Sequence, residues 1–439
     1  MKDTTTQKLL SQELQRQKNT LMMIPSENYM SEEVMKAVGS VLGNKYSEGY
    51  PHARYYQGNQ CVDEIELLAV ERAKELFGVP YANVQPYSGS PANSAIYFGL
   101  LEQGDTVMGL RLSGGGHLTH GHPDITFSGK YFDSVQFDVK EDGYIDMDSA
   151  YQKALEVKPK IISVGTTAYP RNIDWQRWSQ IADDSGAILH ADISHIAGLI
   201  AAKELDTPVS FADVVMFTTH KTLRGPRGAV ILVTEKGIRR NASLPKVIDR
   251  AVFPGLQGGP HENSIAGIAV ALWEAQQESF KDYAKAVISN AQVLSSELIH
   301  HGFELVTGGT DNHLMVIDLR NKNMIGNVLA EALEVAGIIV NRNSVPYDDN
   351  PPFYPSGIRL GTPALTTRGM GSKEMKDIAK LIADVSSHVE KYSLPENRDD
   401  WKDVMKTFRA EVKNLQFFSD VNDTVKKMCE KFPVYAELS

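Results

Sequence analysis

Apolar positions along this chain follow two rhythms. Between about 83 and 234, short β-branched runs alternate with stretches of helical spacing. Runs at 107–110, 160–165, 187–192 and 214–217 read as strands, and 229–234 as a further one. Residues 88–101 and 174–184 read as helices between them. That alternation predicts a mostly parallel sheet with helices on both faces. Ahead of it, 5–22 reads as a short helix with Leu10, Leu14 and Leu21 on one stripe, suited to an arm packed on a neighbour. Ser31, followed by Glu32 and Glu33, marks the cap of a helix over 32–42. Residues 61–77 predict a strongly amphipathic helix, with Val62, Ile65, Leu68, Ala69, Ala73 and Leu76 turned inward.

Beyond the sheet region the pattern changes. Residues 261–300 read as long helix, broken near Ser279-Phe280. Strands near 314–319 and 337–341 and helices near 325–336 and 372–391 predict a smaller α+β part. Pro395-Glu396-Asn397 is a joint before two last helices, 399–413 and 419–431. At 439 residues the chain exceeds what one core holds. The expected division is an N-terminal arm (1–30), a large domain (31–275) and a small C-terminal domain (276–439).

Composition narrows the function. Apolar content of 42% and charged content of 23% are ordinary for a globular protein. A net charge of −10 argues against nucleic-acid and anionic-membrane partners. Two cysteines, Cys61 and Cys429, give neither a disulfide framework nor metal-ligand spacing, which points to a reducing compartment. No leader-like N-terminus and no run of about 18 apolar residues is present, so no membrane span is expected.

Candidate chemistry gathers in four places. Tyr87-Ser88-Gly89-Ser90 opens a predicted helix, where free amides and the helix dipole favour an anion, although Ser-Gly-Ser is also an ordinary cap. Asp192 ends a predicted strand, the end at which ligands sit in open α/β sheets. Gly114-Gly115-Gly116-His117-Leu118-Thr119-His120 lets backbone approach a ligand, with an imidazole able to stack on a planar ring. Lys221, among Thr218, Thr219, His220, Arg224 and Arg227, is either part of a basic, exposed turn or, with its amine kept neutral by those neighbours, a carbonyl-directed nucleophile. A fifth stretch, 43–60, is a loop by its Gly and Pro, yet holds four tyrosines. An anion grip, an acid for a ring nitrogen, a stacking imidazole and an imine-forming lysine are the parts of a pyridoxal-phosphate enzyme.

At this level the wording resembles the serine hydroxymethyltransferase family from about residue 20 onward. The most specific match is Val214-Val215-Met216-Phe217-Thr218-Thr219-His220-Lys221-Thr222-Leu223-Arg224-Gly225-Pro226-Arg227-Gly228, similar to that family's lysine signature. Supporting matches are Pro25-Ser26-Glu27-Asn28-Tyr29, Asn44-Lys45-Tyr46-Ser47-Glu48-Gly49-Tyr50-Pro51, Phe253-Pro254-Gly255-Leu256-Gln257-Gly258-Gly259-Pro260 and Ser356-Gly357-Ile358-Arg359-Leu360-Gly361-Thr362-Pro363.

The resemblance implies the aspartate-aminotransferase-like fold of PLP-dependent transferases, with a large mostly parallel-sheet domain and a smaller C-terminal α+β domain. It implies pyridoxal 5'-phosphate held covalently at Lys221 and tetrahydrofolate as cosubstrate. Asp192 is then expected at the pyridine nitrogen, His195 near the phenolic oxygen, His117 over the ring, and Thr167 and Thr218 beside it. Ser88, Gly89, Ser90 and His220 are expected at the phosphate, joined by Tyr46, Gly258 and Gly259 from a second subunit. Arg359 with Ser26 is expected to bind the amino-acid carboxylate, Glu48 and Tyr56 to move protons, and Leu112, Gly116, Leu118 and Asn343 to contact the pterin. The implied activity is reversible transfer of the serine hydroxymethyl carbon to tetrahydrofolate, in one-carbon and amino-acid metabolism, by a cytoplasmic homodimer with shared sites. A folate-independent aldolase acting on β-hydroxy amino acids such as threonine would use the same Lys, Asp and Arg. Thr167 and Ser194 stand where the family usually has serine and alanine.

Overall fold

The β-branched runs of the first half pair into one seven-stranded sheet. In a computed structural model, all residues are described except Met1, Asp124, Ser393, Leu394, Glu396 and Ser439, together with the side chain of Asp399. Glu396 of the expected joint therefore lies outside the described residues. Across the sheet the order is Tyr81–Asn83, Ala229–Val233, Val214–Thr218, Ile188–Asp192, Ile161–Gly165, Thr106–Leu110 and Asp133–Phe137. The last five are mutually parallel, and Ala229–Val233 runs antiparallel to both its neighbours. Ile161–Gly165, Val214–Thr218 and Ala229–Val233 are buried at every position. Continuous apolar runs are what a sheet covered on both faces requires.

The expected strands and helices of this region form within a residue or two of their sequence bounds. Two strands carry no clear signal in the sequence. Tyr81–Asn83 and Asp133–Phe137 are the two edges of the sheet, and Asp133–Phe137 is only partly buried over most of its length. An edge strand has one neighbour and needs no apolar run.

The helix Gln60–Phe77 departs from its expected face. Its buried positions are Val62, Asp63, Glu66, Ala69, Ala73 and Phe77, whereas Leu68 is 45% exposed. The inward stripe thus carries two carboxylates, because Arg54 lies against it and binds both. The expected helix 32–42 ends at Val38, and Val41–Asn44 turns as a short 3-10 segment. The long helix is two, Glu262–Ala275 and Glu278–His300.

By its internal contacts the chain forms two compact units: Met30–Lys285, and Met1–Tyr29 together with Ala286–Ser439. The second unit holds an antiparallel sheet of Glu304–Leu305, Leu314–Asp318, Gly357–Gly361 and Asn341–Asn343. Its N-terminal segment is tied in by Arg368, which is 6% exposed. That guanidinium donates to the carbonyls of Gln17, Lys18, Thr20, Cys429 and Phe432 at 2.9–3.2 Å. The fixed fork of an arginine can satisfy so many acceptors at once.

In the large sheet, Gly165 pairs with Asp192, and Asp192 with Met216, across the ends of three parallel strands. A Cβ at Gly165 would lie 2.5 Å from Asp192 O, 2.6 Å from its Cβ and 3.0 Å from His120 Cε1. Gly165→Ala is therefore expected to displace Asp192 and to destabilise the protein by about 1–3 kcal/mol, the usual cost of overpacking. A lowered urea midpoint at unchanged slope is the expected measurement.

Candidate active site

The strand ends converge on a cavity of about 180 Å³ lined by residues of Met30–Lys285 alone. Ser88, Gly89, Ser90, His117, Thr167, Asp192, His195, Thr218, His220 and Lys221 all face it, joined by Asn93, His120, Thr166, Ser194 and Arg227. Ten residues singled out from the sequence are thus brought together by separate loops.

Each wall has a local cause. Ser88 is extended and precedes the helix Gly89–Leu100, but its hydroxyl makes no capping bond. The first amides of a twelve-residue helix therefore meet the cavity beside a hydroxyl that does not cap them. The lysine loop is a tight turn held by its threonines. Thr219 Oγ1 donates to Pro226 O at 2.6 Å, and Thr222 Oγ1 donates to His195 O at 2.9 Å. Gly225 N donates to Thr219 O at 2.7 Å and closes the loop. The two arginines separate: Arg224 turns onto the ring of Tyr283, 4.2 Å from its centroid, while Arg227 lines the cavity.

Asp192 is the electrostatic centre. Its Oδ2 accepts from His120 Nε2 at 2.9 Å and Asn93 Nδ2 at 3.0 Å, and its Oδ1 accepts from Ser194 N at 3.0 Å. Burial is the largest influence on this carboxyl and pushes its pKa up. The hydrogen bond from His120 and the charges of His120, His117 and Lys221 outweigh it and hold the group well below the usual carboxylate range. Asn93 Nδ2 also donates to Thr119 Oγ1 at 2.8 Å, which lies 2.7 Å from His117 Nδ1. His117, Thr119, Asn93, Asp192 and His120 are one network, and in a low-dielectric pocket such networks fix geometry.

His220 is held neutral. Burial, then the charges of Lys221 and Arg227, pull it down to about 3. Its Nδ1 and the hydroxyl of Thr218 are buried without a hydrogen-bond partner among the described residues. Orphaned polar atoms of this kind at a helix N-terminus fit an anionic group such as a phosphate ester. An anionic Asp192 likewise fits a protonated ring nitrogen. The residues present therefore suit pyridoxal phosphate.

A family model described as serine hydroxymethyltransferase matches residues 1–382. The serine hydroxymethyltransferase of Acidothermus cellulolyticus is 54% identical over 390 residues, 89% of this chain and 90% of the relative. Those of Desulfotalea psychrophila and Sorangium cellulosum are 48% and 53% identical, over 97% and 87% of this chain and 93% and 88% of theirs. This chain belongs to the serine hydroxymethyltransferase family. Serine hydroxymethyltransferases are PLP-dependent transferases of fold type I, and the mixed, mostly parallel sheet and helical C-terminal part agree with that fold.

The remaining site residues expected from the serine hydroxymethyltransferase resemblance lie in other places. Tyr46, Glu48, Tyr56, Gly258 and Gly259 do not line the cavity. They form a second cluster: the rings of Tyr46 and Tyr56 are 5.2 Å apart, and Gly258 and Gly259 sit directly against Glu48 and Tyr46. Tyr46 is 60% exposed there. Leu112 and Leu118 are exposed, on either side of Gly116. A Cβ on Gly116 would run into Leu110 O, so this glycine lets backbone pack on backbone. Ser26, Asn343 and Arg359 belong to the other unit. Arg359 is buried there in the strand Gly357–Gly361, donates Nε to Asn341 Oδ1 at 3.1 Å, and is pulled down by burial to about 10.

Sequence reasoning assigned no role to His120, Asn93 or Ser194, which hold Asp192. His120 was visible three residues after His117, and Asn93 as the polar member of the stripe Ala92, Asn93, Ile96, Tyr97. Ser194 Oγ accepts from Thr218 N at 3.1 Å and so stitches the Asp192 loop to the strand that leads to Lys221.

Proposed function

We propose that this chain catalyses the reversible transfer of the serine hydroxymethyl carbon to tetrahydrofolate, giving glycine and 5,10-methylenetetrahydrofolate. The observation that carries the reading is one cavity facing both Lys221 and an ionised, three-times hydrogen-bonded Asp192. Pyridoxal phosphate, when bound, supplies a ring that withdraws electrons from the substrate α-carbon. Lys221 Nζ would be its attachment point. Asp192, by remaining an anion, would keep a proton on the ring nitrogen. His117 would stack on the ring, with His195 and Thr167 beside it. Ser88, Gly89 and Ser90 would offer amides and hydroxyls to the phosphate, with Thr218 and neutral His220 beside them.

Arg359 suits the substrate carboxylate, because its planar fork binds carboxylates bidentately and its burial excludes competing water; Ser26 assists it. Glu48 holds or releases a proton at the hydroxymethyl oxygen, with Tyr56 beside it. Leu112, Gly116, Leu118 and Asn343 receive the pterin, the two exposed leucines offering apolar surface to a flat ring. Because Tyr46, Glu48, Tyr56, Gly258 and Gly259 form a cluster that does not line the cavity of their own chain, a homodimer is proposed, in which each chain's cluster serves its partner's site; a cytoplasmic location fits the family.

The test is product formation from serine with and without tetrahydrofolate, beside threonine alone. Serine turnover dependent on tetrahydrofolate is expected. Threonine cleavage faster than serine turnover, with no response to folate, would instead assign a folate-independent aldolase.

A further inference from the structure

Beneath the tyrosine loop, three buried carboxyl groups share one arginine. Arg54 Nε donates to Asp63 Oδ1 at 2.8 Å and Nη2 to Glu66 Oε2 at 2.7 Å. Its Nη1 is committed to Ser47 O at 2.8 Å and Gly49 O at 2.9 Å. The third carboxyl, Glu262, begins the helix Glu262–Ala275 and its side chain is fully buried. It lies 3.9 Å from Arg54 Nη1 and receives no hydrogen bond from it. Glu262 Oε1 is 2.6 Å from Ser47 Oγ, and its Oε2 is buried with no partner among the described residues.

The charges do not balance with all three groups ionised. Arg54 supplies one positive charge. His52 Nδ1 lies 3.6 Å from Asp63 and is 71% exposed, too solvated to neutralise a second buried group. Lys45 gives its Nζ to Tyr46 O instead. Glu66 is further committed to Gln85 Nε2 at 2.8 Å. Of the three, Glu262 has the fewest donors and an orphaned oxygen, so it is the group that keeps a proton. Burial, augmented by the charge of Glu66 and opposed by Ser47 and Arg54, raises Glu262 to about 7; burial raises Glu66 as well, against Arg54 and Gln85, while Asp63 is held low by Arg54 despite its burial.

Ser47 is fully buried between Tyr46 and Glu48 in the chain. The cluster thus grips the backbone from which both side chains project. We propose that Glu262 is a positioning residue: while its carboxyl is protonated, Arg54 Nη1 stays on the carbonyls of Ser47 and Gly49, and loss of that proton draws the guanidinium off them and loosens the segment presenting Tyr46 and Glu48. An ionised Glu262 would repel Glu66 and draw Arg54 Nη1 away from the carbonyls of Ser47 and Gly49. This proposal rests on the role given above to Glu48, but the presence of the proton can be tested apart from it.

Glu262→Gln keeps the shape and an acceptor for Ser47 and is neutral at every pH. In wild type the turnover of serine is expected to fall across an inflection near pH 7. E262Q should match wild type within about twofold below that inflection and lose the inflection itself, since the titrating group is gone. Stability gives the independent arm. A carboxyl raised in the folded state stabilises the fold below the unfolded value of 4.5, and that contribution is lost as pH rises through about 7. The urea midpoint of E262Q should therefore gain on wild type over that window and hold its gain above it. Parallel stability curves would overturn the protonation of Glu262. An activity inflection that persists in E262Q would overturn its positioning role. Absence of serine turnover in both proteins would strike the functional reading, while the stability curves still decide the proton.

Discussion

Lys221→Ala is expected to leave a folded protein whose serine turnover falls by roughly 10²–10⁴-fold, the usual contribution of a lost proton-transferring group, and further where covalent attachment is also lost. The fold should survive because the backbone of the loop is held by other groups. Its shape comes from Thr219 and Thr222, whose hydroxyls hold Pro226 O and His195 O, and from the Gly225 N to Thr219 O closure. Truncating the lysine side chain leaves all of these in place. Steady-state rates with serine and tetrahydrofolate check the first part, and a single cooperative urea transition without cofactor, its midpoint lowered only by the lost attraction between Lys221 and Asp192, checks the second. A variant that turned over serine at the wild-type rate would remove Lys221 from the chemistry.

Asp192→Asn separates charge from shape. The amide keeps the size of the carboxyl but brings an NH₂ group toward His120 Nε2 and Asn93 Nδ2, both of which donate to Asp192. A donor facing two donors leaves a buried bond unmade, a cost of about 1–3 kcal/mol. His120 can offset part of this by presenting an unprotonated nitrogen. The catalytic loss should be larger than the stability loss suggests. With no anion at the ring nitrogen, turnover is expected to drop by about 10²–10³-fold, in line with removal of one preorganised electrostatic partner. Comparing kcat with the urea midpoint distinguishes the two effects, and Asp192→Glu, which keeps the charge, should recover part of the rate. Equal kcat in D192N and wild type would mean that the carboxylate serves only to order His120 and Asn93.

Much of this site was legible in the sequence because its parts end strands or begin helices. Asp192, Lys221 and Ser88 each follow or precede an apolar run that could be counted, and the structure places them on one cavity. The supporting residues were less visible for a physical reason. His120 and Asn93 meet Asp192 only after the helix Gly89–Leu100 and the glycine loop close over the sheet, 72 and 99 residues away in the chain. Periodicity also misread the helix Gln60–Phe77, where it turned Leu68 inward and left Glu66 out of the buried stripe. Arg54 reverses that choice, since a carboxylate is stable inside once a guanidinium neutralises it. Edge strands such as Asp133–Phe137 lacked a signal because half of their surface stays wet.

The departures that remain are conservative in their contacts. Thr167 keeps a hydroxyl, which donates to Gly116 O at 2.8 Å and so ties the loop after the strand Ile161–Gly165 to the glycine loop. Ser194 adds a hydrogen bond that alanine could not make, to the amide of Thr218 at 3.1 Å. Both side chains fasten the backbone around the cavity.

The most direct measurement is to incubate the protein with pyridoxal phosphate, reduce it with borohydride, digest it and locate the modified lysine by mass. The expected result is one pyridoxyl adduct, on the peptide containing Lys221 and absent from Lys221→Ala. An adduct on another lysine, or none at all, would contradict the placement of the cofactor between Lys221 and Asp192.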